Sequence, residues 1–230
     1  MAELCVYCNL NLANTSDHII ARKFFQNDQI YRQNLPKVPC CSKCNTDKQK
    51  IEDGPAVLVQ FAHPSEGSKK VLRERIPGTL EKNTRLARSL KKGLTWDFLA
   101  EKSRVITKST FIEIDKRNWN DFYKWYIYLV KGFYYFYTQK IITPNEIVNL
   151  FLPVAQKQVD IFSVMIRGTS GYIESTFGNN EFHLLFANNE SDKLALFSFN
   201  FKSILVYGLV MDATKSYSFL KSLQNIKWKI

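Results

Sequence analysis

The sequence predicts an α+β protein whose N-terminal part is a small zinc-stabilised module. Three observations carry this. Two Cys-x2-Cys pairs, Cys5/Cys8 and Cys41/Cys44, fall within the first 54 residues. An aromatic run from Trp119 to Gln139 keeps helical spacing. After Lys157 the pattern changes to short apolar segments separated by Asn- and Gly-rich turns, as in antiparallel strands. The chain has 230 residues, 45% of them hydrophobic and 14% aromatic. That is enough for a sizeable core and two domains, and it excludes a disordered tail.

We expect three parts: a metal module over residues 1–54, a basic helical connector over 55–110, and an aromatic-rich α+β domain over 111–230. In the module, thiolates at x2 spacing sit on a tight knuckle that turns both sulfurs toward one Zn2+ ion. Two knuckles make a closed tetrahedral site of Cys5, Cys8, Cys41 and Cys44, which is structural because no open position remains. Cys40 competes with Cys41, but only Cys41 stands at x2 spacing from Cys44. Metal binding supplies on the order of 10 kcal/mol of folding free energy, which so short a module needs. The 32 residues between Cys8 and Cys41 exceed the roughly 15–20 of a simple zinc ribbon, so something is inserted there. After Cys44, the run Asn45–Glu52 reads as a short helix ending near Gly54.

The connector carries the charge. Net charge is +11, and residues 61–110 hold 12 Lys/Arg against 5 Asp/Glu. A basic stretch of this kind neutralises phosphates, although a solvated helical face has the same composition. Breaks are expected at Pro64 and at Pro77-Gly78. Leu86, Leu90 and Leu94 follow i, i+4, i+8, while Arg85, Arg88 and Lys92 lie on another face. This predicts an amphipathic helix over about 79–92, stopped by Gly93.

The third part opens with a long, largely buried helix over about 119–139. Thr143-Pro144 then predicts a second helix, with Thr as cap, Pro in the first turn and Glu146 behind it. Strands are expected at 161–167, 171–177, 181–187, 194–201 and 203–211, forming a meander packed on the two helices, and a short helix near 216–223. His63 and His183 are read as structural. No apolar stretch approaches the roughly 20 residues of a membrane span. The opening Met-Ala-Glu-Leu-Cys lacks a basic stretch followed by an apolar run, so no secretory signal is expected. A reducing, cytoplasmic setting therefore favours a metal site over disulfides.

The insert between the knuckles contains Asp17-His18-Ile19 and Asn34-Leu35, and Cys44 is followed by Asn45 and Lys48. This series resembles the HNH endonucleases, in particular those similar to phage endonuclease VII, over about residues 1–54. Asn45 stands where the family name has its last histidine, and the Asn34–Cys41 gap is slightly long. The resemblance implies a treble-clef, ββα-metal core. It implies His18 as the general base that activates water, and Asp17 and Asn45 as oxygen ligands of a catalytic Mg2+ or Mn2+. Asn34 would complete the catalytic set, more as a loop-fixing partner than as a ligand. Arg22, Lys23, Lys48, Arg85, Arg88 and Lys92 are the candidate phosphate contacts. Asp17 also fits a turn or cap, and Asn45 fits a helix cap.

The implied function is hydrolysis of DNA phosphodiester bonds, in the setting of bacterial restriction or anti-phage defence. A catalytically inactive zinc-dependent nucleic-acid-binding module, or an effector subunit regulated by an ATPase partner, is the alternative.

Overall fold

The structure, a computed structural model, describes residues 3–62, 65–100, 106–153 and 155–216. His63, Pro64 and, beyond Ser216, the helix expected near 216–223 lie outside these residues. In chain order the elements are β1 (Thr15–His18), a 3-10 turn (Arg22–Phe24), α1 (Gln29–Arg32), β2 (Lys37–Cys40), α2 (Ser42–Ile51), α3 (Asp53–Ala62), α4 (Glu66–Glu74), α5 (Ile76–Lys82), α6 (Thr84–Gly93), β3 (Leu94–Ala100), β4 (Ile106–Ile112), α7 (Lys116–Thr138), β5 (Glu146–Phe151), α8 (Gln156–Arg167), β6 (Ile173–Phe177), β7 (Phe182–Asn189), β8 (Leu194–Phe201) and β9 (Ile204–Asp212). The protein is α+β, and no described helix is long and apolar enough to cross a membrane.

The insert between the knuckles is a two-stranded hairpin. β1 and β2 pair antiparallel, with Thr15 opposite Cys40 and His18 opposite Lys37. α2 follows at once and begins three residues earlier than expected, because the Cys41 sulfur caps it by accepting from the Cys44 N–H at 3.5 Å. Gly54 does not stop the helical run. Gly54 and Pro55 lie in the first turn of α3, where a missing N–H costs nothing.

Two helices replace the single one expected over 79–92. Pro77 opens α5 instead of breaking the chain, and the Asn83 side chain accepts from the Leu86 N–H at 3.1 Å, capping α6. Gly93 does end α6. Leu94 leaves the apolar face, is exposed, and starts β3. The antiparallel β3–β4 hairpin therefore occupies the end of the stretch expected to be helical.

α7 matches the long helix expected. Asp115 caps its start by accepting from the Asn118 N–H at 2.7 Å, and Gln139 ends it in the left-handed conformation. Two expectations in the next stretch are overturned. The helix expected from Thr143 is strand β5, because Glu146 closes only a local turn, bonding the Thr143 N–H (2.8 Å) and hydroxyl (2.9 Å). The residues after it then pair along β9. The strand expected at 161–167 is the helix α8, because Phe162 and Ile166, one turn apart, both bury against the sheet. The sheet has order β5-β9-β8-β7-β6 and every neighbouring pair is antiparallel, so the expected meander is present as β6 to β9.

The sheet is covered on both faces. Ala195, Phe197, Phe199 and Phe201 of β8 point into the main core, and Leu196 into a second core under α8. The main core joins segments far apart in the chain. It includes Ile19, Ile20, Phe24 and Phe25 from beside the metal module and Trp125, Leu129 and Phe133 from α7. Phe24 stacks on Trp125 at 4.5 Å between ring centroids. Gly132 permits this docking, since a Cβ there would sit 2.9 Å from Ile19 Cγ2.

Candidate metal centre and the residues around it

Cys5, Cys8, Cys41 and Cys44 converge, with their sulfurs all within 4.8 Å of one another. A tetrahedral Zn2+ with sulfur at ~2.3 Å needs sulfurs about 3.8 Å apart, so the donor set and spacing fit. Among the described residues this is the one convergent group of His, Cys, Asp or Glu that could hold a metal. The groups around the sulfurs suit thiolates too. Asn11, which the sequence did not single out, donates its side-chain amide to the Cys8 and Cys41 sulfurs, at 3.7 Å each. Burial raises the Cys8 thiol, but donors from the Asn11 and Leu10 backbone and the neighbouring thiols outweigh it and bring it to about 6. Cys40 stays outside the cluster, fully buried, and burial together with the Asp17 charge pushes its thiol up to about 12.

Next to the thiols lies a buried charge cluster centred on Lys48. This lysine was expected at the surface as a phosphate contact, but it is 0% exposed. Its ammonium lies 2.7 Å from Asp17 Oδ2 and donates to the His18 carbonyl at 2.8 Å. It also lies 2.8 Å from Glu52 Oε1, an ion pair between side chains one helical turn apart. The Tyr7 hydroxyl donates to the same Asp17 Oδ2 at 2.8 Å. Asp17 is thus neither a turn residue nor a cap. One of its oxygens is anchored by a residue of each knuckle, since Tyr7 lies between Cys5 and Cys8 and Lys48 lies one turn after Cys44. Burial raises the Glu52 carboxyl, and Lys48 and Lys23 oppose that rise.

His18 follows Asp17 on β1. Neighbouring strand residues face opposite ways: Asp17 turns inward, and His18 is half-buried. Burial first, then the Arg22 and Lys37 charges, hold its imidazole below its ordinary value. The neutral imidazole, the form able to accept a proton, is thereby favoured. Asn45 does not cap α2, because Cys41 does. Its amide oxygen accepts from Gln49 Nε2 at 2.9 Å on the half-exposed side of the helix. No hydrogen bond among the described residues joins Asn45 to Asp17 or His18. Asn34 is exposed at φ +59°, a left-handed position that asparagine tolerates, and it shapes the turn before β2.

The other expected phosphate contacts divide. Lys23 is committed within the protein, 2.9 Å from Asp53 and 3.4 Å from the Gln49 carbonyl. Arg22 is exposed. On α6, Arg85 pairs with Asp121 at 3.4 Å, while Arg88 and Lys92 are exposed. The fold and the site together describe an α+β protein with a four-cysteine cluster able to hold a metal such as zinc. No protein-family model, curated protein or solved structure matches the chain.

Proposed function

We propose that this chain is a metal-dependent endonuclease of the HNH type that hydrolyses DNA phosphodiester bonds. The observation that carries this reading is the placement of Asp17 and His18 at the end of β1, in a hairpin followed directly by α2 and tethered at both ends by the cysteine cluster. Burial and the neighbouring cations favour neutral His18, the form that takes a proton from the attacking water. Tyr7 and Lys48 hold Asp17 Oδ2 and leave Oδ1 as its open donor. That oxygen and the Asn45 amide oxygen would be the hard ligands for Mg2+ or Mn2+. When bound, such an ion supplies positive charge against the negative charge that builds on the departing 3′ oxygen. Lys48 fixes the His18 backbone through its carbonyl.

The Lys48–Asp17 contact also favours a second reading, a zinc-stabilised nucleic-acid binder without catalysis, because an ammonium already neutralises that carboxylate. Nicking of supercoiled plasmid in Mg2+ or Mn2+ separates the two. The nuclease reading expects metal-dependent nicking that falls by about 10²–10⁴-fold in His18→Ala. No nicking by the zinc-loaded protein, or equal rates in the variant, rejects it.

A further inference from the structure

An open groove of about 580 Å³ runs between α2, α6 and α7. Five cations line it, Lys50, Arg85, Arg117, Lys124 and Lys131, against two carboxylates, Asp47 and Asp121. Both carboxylates are matched: Asp47 lies 3.2 Å from Lys50, and Asp121 lies 3.4 Å from Arg85. Lys131 gives its ammonium to the Tyr7 carbonyl at 2.7 Å, and burial lowers its pKa while the nearby cysteine thiolates oppose that fall. Arg117 and Lys124 are exposed and form no ion pair among the described residues. The groove therefore holds two exposed positive charges, Arg117 and Lys124, without a counter-charge.

Their spacing says what they fit. Arg117, Lys124 and Lys131 recur every seventh residue of α7, so they share one face at a rise of about 10 Å each, a row of about 21 Å. On α6, Arg88 and Lys92 lie three and seven residues after Arg85 and extend the cationic edge. A small anion cannot span such a row, whereas a chain of repeating charges can. The groove is also tied to the candidate catalytic pair. Tyr7 lines it, and the Tyr7 hydroxyl holds Asp17. α2 turns Asp47, Lys50 and Ile51 toward the groove, and Lys48 toward Asp17 and His18.

We propose that this groove binds the phosphodiester backbone of a nucleic acid, with Arg117 and Lys124 as phosphate contacts. The choice of nucleic acid over other polyanions rests on the function proposed above. None of Arg117, Lys124 and Lys131 stands out in the sequence, because α7 reads as an apolar helix and its cations as interruptions.

The test is fluorescence anisotropy of the full-length, zinc-loaded protein with a labelled DNA duplex and a labelled RNA, across a range of salt. The double variant Arg117→Gln/Lys124→Gln should lower the slope of log affinity against log salt by about 1.8 on duplex DNA, ~0.9 per lost phosphate contact. Lys157→Gln/Lys193→Gln, which removes two exposed charges outside the groove, should leave the slope unchanged. Slope loss with DNA, RNA or both supports the proposal and names the source of the backbone. An unchanged slope in the groove variant, equal loss in the control, or displacement by polyglutamate as readily as by unlabelled nucleic acid overturns it. Absence of cleavage rejects the nuclease without touching this result, and an unchanged groove-variant slope rejects the groove without touching the nuclease.

Discussion

Replacing Lys48 by Met removes one fully buried ammonium and keeps most of the aliphatic stem. Asp17, 2.7 Å from the ammonium, loses its counter-charge, and Glu52, 2.8 Å away and 1% exposed, keeps only Lys23 at 3.9 Å. The His18 carbonyl also loses a donor. Removing one partner of a buried ion pair costs about 3–5 kcal/mol, because the remaining charge stays desolvated. A surface lysine in an exposed pair would cost about 0–1 kcal/mol. Equilibrium urea unfolding of the zinc-loaded protein distinguishes these values.

The pH dependence has a definite sign. Burial already raises the Glu52 carboxyl above its unfolded value, and the charge of Lys48 opposes that rise. Without Lys48 the folded-state value rises further. A carboxyl raised in the folded state contributes stability that is fully present below the unfolded value and lost as pH rises through the folded one. The deficit of Lys48→Met should therefore shrink as pH falls from about 8 toward about 5. A loss below about 1 kcal/mol, or a deficit that grows on acidification, refutes the reasoning.

Two other predictions concern the scaffold. Elemental analysis should find one zinc per chain, kept in Cys40→Ser and lost in Cys41→Ser, and chelation should lower the thermal midpoint by removing metal-linked folding free energy; metal retained by Cys41→Ser would remove the assigned ligand set. Gly132→Ala should cost about 1–3 kcal/mol by overpacking against Ile19, and adding Ile19→Ala should give a non-additive recovery of more than about 0.5 kcal/mol in the same urea assay, whereas strict additivity would mean the two residues do not meet.

What the sequence made legible was whatever depends on spacing alone. Cys-x2-Cys pairs bring thiols together whatever surrounds them, and the choice of Cys41 over Cys40 follows from counting. α7, β7, β8 and β9 were legible because their apolar periods persist over many residues. The failures lie where a partner distant in sequence decides. The stretch Glu146–Phe151 has an acceptable helix start, and 161–167 has enough Ile and Val for a strand. Hydrogen bonding to β9 and burial of Phe162 and Ile166 reversed both readings. Lys48 is the sharpest case. A lysine on a polar helix reads as surface, and only Asp17, 31 residues earlier, and Glu52, one turn later, make burial tolerable. Tyr7 gave no signal because a tyrosine between two cysteine ligands looks like filler.

The residues that follow His18 explain why the site and the main core cannot be treated separately. Ile19, Ile20, Phe24 and Phe25 are all fully buried, and they contact α7 and the sheet and not the cysteines alone. The Ile19 side chain lies against Gly132, Phe24 stacks on Trp125, and Phe25 meets Phe201 at 5.6 Å. Each large apolar side chain buried this way contributes about 1.5–3 kcal/mol, so the end of β1 is clamped from the C-terminal side. The cysteine cluster clamps it from the other side through Tyr7 and Lys48, which fix one oxygen of Asp17. Two independent restraints thus meet within two consecutive residues, Asp17 and His18.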